Sequence, residues 1–193
     1  MMASIRAAIA LLLMFTLLLG IVYPLGVTAF SEMLFSYKVK GSLIEKDGKV
    51  IGSELLGQNF TEDKYFWGRL SATTPPYNAA SSSGSNMNPG NPKLLEAAKA
   101  RIDALHKADP GNKALVPVDL VTASASGLDP DISVAAAEYQ AGRIAKTRHM
   151  KEEDVHTLIT QCAKKRSMGV LGEPHVNVLR LNLALDQQEI PAH

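Results

Sequence analysis

The stretch AAIALLLMFTLLLGIVYPLGVTAF, Ala7 to Phe30, holds 24 residues without a charge. As a helix it is about 36 Å long, against a hydrocarbon core of about 30 Å, so it spans a bilayer with some tilt. A cleavable signal peptide is the competing reading, with Arg6 as a basic start and Val27-Thr28-Ala29 as a small-x-small cleavage site. The unbroken apolar run from Ala7 to Tyr23 is 17 residues, longer than the roughly 7 to 15 of a signal core, and favours a retained anchor. Pro24 removes a backbone hydrogen bond that a neighbour or water must replace. That points to a partner helix at Gly20, Tyr23, Pro24 and Gly26.

Working outward, charge orients the span. Arg6 and the terminal amine on one side and Glu32 on the other put the N-terminus in the cytoplasm. A wider window adds Lys38, Lys40, Lys46 and Lys49 and argues the reverse. Large domains translocate with little regard to charge, so the near window decides and the domain is expected outside. The chain divides into an anchor, residues 1–31, and a soluble domain, residues 32–193. The anchor takes one of the 20 basic residues, Arg6, and none of the 19 acidic ones, so the domain is electrically balanced. A balanced domain draws little affinity from phosphate neutralisation, which argues against nucleic-acid binding. A single cysteine, Cys162, excludes an intrachain disulfide and a Cys-rich metal site.

Residues 34–60 read as strands and turns, with a hairpin at Leu43-Ile44-Glu45 and Val50-Ile51 around Asp47-Gly48. Thr73 to Pro92, rich in Ser, Asn, Pro, Gly and Ala, reads as a long solvated loop or one ordered by a partner. Asn91-Pro92 starts a helix to about Lys107, with Leu95, Ala98, Ile102 and Leu105 on one face. A second helix is expected from Ser133 to about Arg148. A third runs from about Glu152 to Arg166, acidic at its start and basic at its end, as the helix dipole prefers. In it Val155, Leu158, Ile159 and Cys162 fall on the core face, which makes Cys162 a structural thiol. From Val176 to Leu185 apolar residues largely alternate and predict a strand, turning helical by Asp186. Asn177 and Asn182 in it need satisfied amides if buried. Strands at both ends with helices between make an α+β domain behind one transmembrane helix.

No catalytic or metal-binding constellation is legible. Gly52 to Asn59 has the glycine spacing of a P-loop but Gln58-Asn59 where Lys and a hydroxyl are needed. Ser124 and Ser126 lack flanking glycines two positions away on both sides, so they read as turn hydroxyls. His149 and His156 lie seven apart without a His-Glu-x-x-His pattern. The dense aromatics and amides at Asn59, Phe60, Trp67, Arg69, Tyr77 and Asn78 form either an aromatic mini-core or a recognition surface facing a partner.

These residues, in Gly57-Gln58-Asn59-Phe60, Tyr65-Phe66, Gly68-Arg69, Ser71-Ala72-Thr73 and Pro76-Tyr77-Asn78, carry a resemblance to a known family. So do Gly84-Ser85-Asn86, Asn91-Pro92, Asp119 to Pro130, Arg143-Ile144-Ala145-Lys146, Val176-Asn177-Val178 and Leu181-Asn182. Together they resemble the KdpC family, the C subunit of the Kdp potassium-transporting ATPase, over the whole chain. The resemblance implies a non-catalytic subunit of a high-affinity ATP-driven potassium importer in the bacterial inner membrane. Its partners would be a channel-like potassium-binding subunit, a P-type ATPase subunit and a small hydrophobic subunit, with membrane lipid around the span. The chain itself has neither the Asp-Lys-Thr-Gly motif of a P-type pump nor a Thr-Val-Gly-Tyr-Gly filter. The family is described as a catalytic chaperone raising the ATP affinity of the ATPase subunit, through a Leu-Ser-x-x-Gln segment. The matching positions here are Met150-Lys151-Glu152-Glu153-Asp154, acidic and without Ser or Gln, and Leu70 replaces a proline usual after Gly-Arg. ATP is therefore implied by the resemblance alone, and no firmly bound cofactor is expected. The rival functions are an anchored periplasmic ligand-binding domain or a hydrolase unrelated to potassium.

Overall fold

The computed structural model describes residues 2–188. Met1, in the predicted anchor, and residues 189–193, at the end of the predicted domain, lie outside the described residues. The chain forms two compact units that divide between Ile51 and Gly52.

The first unit is dominated by a 38-residue helical run, Met2–Val39, the one helix among the described residues long and apolar enough to cross a membrane. It consists of α1 (Met2–Leu17), a π-helical turn (Leu18–Val22) and α2 (Tyr23–Val39). The π turn answers the proline. A Pro24 ring clashes with the carbonyl four residues back, that of Gly20, and the wider turn relieves this while the Tyr23 N–H donates to Leu18 O instead. The helix runs past Ser31 to Val39, so residues 34–39, expected to be extended, are helical with a kink at Phe35 (φ −137°, ψ 42°). The expected hairpin follows: β1 (Leu43–Lys46) pairs with β2 (Lys49–Ser53). Asp47 and Gly48 both take positive φ at its tip (52° and 72°), the conformation that favours Asp-Gly in two-residue turns.

In the second unit the long loop up to Asn91 contains a 3₁₀ turn, Ala79–Ser81, and an isolated bridge from Leu70 to Ala123; α3 (Pro92–Ala108) and a short α4 (Val118–Val121) follow. Asn91 caps α3, its Oδ1 accepting from the Lys93 N–H. Leu105 is buried on α3, but Leu95, placed on the same face from sequence, is 59% exposed. Next come β3 (Asp131–Ser133) and α5 (Val134–Arg148), whose N-cap is Ser133, then α6 (Glu152–Cys162), β4 (Ala163–Lys164), β5 (His175–Asn177) and α7 (Val178–Gln188). The order in the sheet is β3-β5-β4, antiparallel throughout, with Ile132 opposite Val176 and Ala163 opposite Val176. This is the expected α+β class.

Two element boundaries differ from the sequence reading. The third long helix ends at Cys162, and Ala163–Lys164 joins the sheet, so Lys164, Lys165 and Arg166 do not close its dipole. The stretch from Val176 to Leu185 is strand only through Asn177. Its buried residues Val178, Leu179, Leu181, Asn182 and Leu185 follow a helical period once Asn182 counts as an inward position. With the asparagine taken as an interruption, the same residues read as alternation. The core joins Ile132, Ile144, Val155, Leu158, Ile159, Val176, Leu181 and Leu185 from the sheet and α5–α7 with Phe66 from the loop and Leu120 from α4. Cys162 packs partly buried at its edge, and burial pushes its thiol pKa up.

Candidate functional site

Residues 57–78 have almost no regular secondary structure, yet the centre of the segment is buried. Helix side chains hold it where strand neighbours otherwise would. The Asn182 amide on α7 accepts from the Phe66 N–H (2.8 Å) and donates to Phe66 O (3.1 Å). The Gln140 amide on α5 does the same for Trp67, at 2.9 and 3.1 Å. Both amides are about 1% exposed, so each replaces water at two buried backbone groups and is itself satisfied. Arg143, one turn beyond Gln140, donates to the carbonyls of Asp63 and Tyr65 and to Gln140 Oε1. Arg148 donates to Lys64 O (2.7 Å) and to Asp186 (2.8 Å), which also accepts from the Tyr65 hydroxyl.

Two guanidiniums lie over the buried Trp67 ring, Arg143 at 4.6 Å and Arg101 at 4.9 Å from its centroid. Burial holds the Arg143 guanidinium down to about 10, still well above neutral pH, and lowers Arg101 as well.

Beyond Trp67 the segment locks onto the loop 123–129. Arg69 pairs with Asp129 (2.9 Å) and donates to Ala123 O. Ser71 Oγ donates to Gly127 O (2.7 Å) and accepts from the Tyr77 N–H (2.9 Å). Tyr77, at φ 60°, folds back so that its hydroxyl donates to Arg69 O (2.6 Å), and burial raises that phenol to about 12. The ring fills the space over Gly57 and Gly68, where a Cβ would stand 2.3 and 2.6 Å from its atoms. Around it lies a cavity of about 110 Å³ walled by residues that include Gln58, Asn59, Phe60, Arg69, Tyr77 and Arg101.

Of the six residues singled out as partner-facing, the structure gathers Asn59, Phe60, Arg69 and Tyr77 round this cavity. Asn59 is exposed. Trp67 is buried in the core, and Asn78 caps the 3₁₀ turn by accepting from the Ala80 N–H (3.1 Å). In the apolar helix Tyr23 is 63% exposed and a Cβ at Gly20 or Gly26 would meet nothing. Pro24 follows the π turn. Arg101, Arg143, Arg148 and Gln140 are not among the six. The signal for Arg101 was there: it sits on α3 beside Ala98 and Ile102, on the face that carries Leu105.

The other candidates are structural where they stand. Ser124 Oγ accepts from the Gly127 N–H (2.8 Å) and Ser126 Oγ from the Leu128 N–H (3.1 Å), both as turn acceptors. His149 ends α5 in the left-handed region (φ 55°), and His156 is engaged with Glu138 and Glu152. Gly57, in the P-loop-like stretch, donates its N–H to Leu128 O (2.8 Å). Among the described residues no group of three or more His, Cys, Asp or Glu side chains is placed to hold a metal ion.

A family model described as KdpC, K+-transporting ATPase, c chain, matches residues 5–187, from the apolar helix to the end of α7. The chain belongs to the KdpC family. Its relatives are close throughout their length. A protein of Dechloromonas aromatica is 56% identical over 96% of this chain and 98% of its own. One of Polaromonas naphthalenivorans is 58% identical over 94% and 93%, and one of Methylococcus capsulatus 57% over 96% and 98%. All three are named potassium-transporting ATPase KdpC subunit. The KdpC match thus takes in the cavity segment, its arginines and the apolar helix together.

Proposed function

We propose that the chain is a non-catalytic accessory subunit of a high-affinity, ATP-driven potassium import complex, which it assembles and stabilises. Its helix Met2–Val39 anchors it once in the bacterial inner membrane, and the domain from Gly52 onward works on the extracytoplasmic side. The supporting observation is the match of the KdpC family model to residues 5–187 as one unbroken stretch, anchor included. A potassium-binding channel-like subunit, a P-type ATPase subunit and a small hydrophobic subunit are its partners. The turnover belongs to the ATPase subunit, since this sequence has no Asp-Lys-Thr-Gly phosphorylation motif.

Any rise in the ATP affinity of the pump comes through the assembled subunits and not through contact between this chain and nucleotide. Glu152, Glu153 and Asp154 open α6 exposed and acidic, a setting that repels a triphosphate. Two measurements test the reading. Protease added to intact spheroplasts should digest the domain, whereas protection would place it inside. Calorimetric titration of the full chain in detergent with ATP and magnesium should give no saturable heat, and micromolar binding lost on changes between Gln140 and Asp154 would restore direct nucleotide contact.

A further inference from the structure

Arg101 is a half-buried cation without a counter-ion among the described residues. Its Nε donates to Leu120 O (3.1 Å) and its Nη2 to Gly68 O (2.8 Å), while Nη1 has no hydrogen-bond partner among the described residues. No carboxylate among them stands within ion-pair distance of it, and Arg143, over the same Trp67 ring, repels it. Carbonyl dipoles and a ring face offset only part of the desolvation cost of such a guanidinium.

Arg69 is the second arginine on the cavity wall. Its Nη1 and Nη2 are taken by Asp129 and Ala123 O, but its Nε is buried with no hydrogen-bond partner among the described residues. Both arginines line the cavity of about 110 Å³ beside Tyr77. Asp129 balances one of the two charges, so the cavity carries an excess positive charge. Its size suits one phosphate or carboxylate group with a few waters and is too small to enclose a whole nucleotide. Forked guanidinium donors match the oxygens of such groups.

We propose that the cavity between Arg69, Tyr77 and Arg101 binds one small oxyanion, a phosphate or carboxylate group, which supplies the counter-charge that Arg101 lacks. The site stands apart from the assembly role above and fails or holds independently of it.

Trp67 is the only tryptophan of the chain and sits 4.9 Å from Arg101, so its fluorescence reports on the site. The full chain in detergent is titrated with inorganic phosphate and with acetate, at constant ionic strength set with chloride. A saturable change in Trp67 emission, matched by calorimetric heat, is expected for at least one of them. Arg101→Lys, which keeps the charge but loses the fork, should weaken binding about tenfold. Asn59→Asp, at an exposed position on the cavity wall, should fold normally and weaken it about threefold by repulsion. A soluble short-chain phosphatidic acid distinguishes the source of the group: tighter binding than phosphate assigns a lipid headgroup, weaker binding a free anion. No saturable response to phosphate or acetate overturns the proposal, as does binding that Asn59→Asp leaves unchanged.

Discussion

The hydroxyl of Tyr77 lies so close over Gly68 that a methyl group there would stand 2.6 Å from it, and the Tyr77 ring meets Gly57 more tightly still. The phenol cannot yield easily, because its hydroxyl is bound to Arg69 O at 2.6 Å. At Gly57 a Cβ also meets the backbone oxygen of Asp129 at 2.7 Å. Gly57→Ala is therefore expected to cost about 1–3 kcal/mol, and Gly68→Ala less, because there only a side-chain end must move. Denaturant unfolding of the full chain in detergent measures both, with Gly26→Ala as a control in open space.

The amide clamps give a second expectation. Asn182→Leu keeps the volume but leaves the Phe66 N–H and carbonyl without partners in a buried place, a loss of about 1–3 kcal/mol. Gln140→Leu should cost more, since Arg143 also loses its acceptor at Gln140 Oε1. Thermal melts of the two variants side by side test the order, and an Asn182 variant less stable than the Gln140 variant contradicts it.

Tyr77 makes stability fall at alkaline pH. Its phenol is raised from about 10 unfolded to about 12 folded, mainly by burial, so the folded state holds the proton more tightly. The contribution is complete below pH 10 and is lost as the pH climbs toward 12. Arg143, lowered by burial to about 10, gives a slope of opposite sign in the same range, so wild type must be compared with a variant. Tyr77→Phe should shrink the falling component between pH 10 and 12, leaving what Tyr65 and Tyr139 contribute, whose phenols burial also raises. An identical pH profile in the variant means that the phenol is not shielded.

Cys162 packs half-buried against the core, and burial disfavours its thiolate. Cys162→Ala should leave transport intact and cost about 1 kcal/mol of stability. Alkylation by iodoacetamide at neutral pH should be slow beside a free thiol. Loss of transport at unchanged melting temperature would give the thiol a role in the mechanism.

The fold was legible where one physical signal dominated. The uncharged run Ala7 to Phe30, the Asp47-Gly48 turn and the Asn91-Pro92 start each act through neighbours a few residues away. What was not legible depends on contacts distant in the chain. Asn182 reads as a break in an apolar pattern until Phe66, 116 positions earlier, is seen to need its amide. Trp67 and Tyr77 read equally as core or surface until the helices bring Gln140 and Arg101 to them. The cavity was half visible: Asn59, Phe60, Arg69 and Tyr77 stood out by composition, whereas nothing local ties Arg101, on a helix face, to the loop residues it joins.

On the proposed function, a potassium pump requires this chain without having it as its catalyst. The decisive measurement is ATP hydrolysis in membranes from cells expressing the other subunits of the complex with and without this chain. Potassium-stimulated hydrolysis should be present with the chain, fall to background without it, and be absent from the purified chain alone. Undiminished potassium-stimulated hydrolysis in its absence would contradict the account.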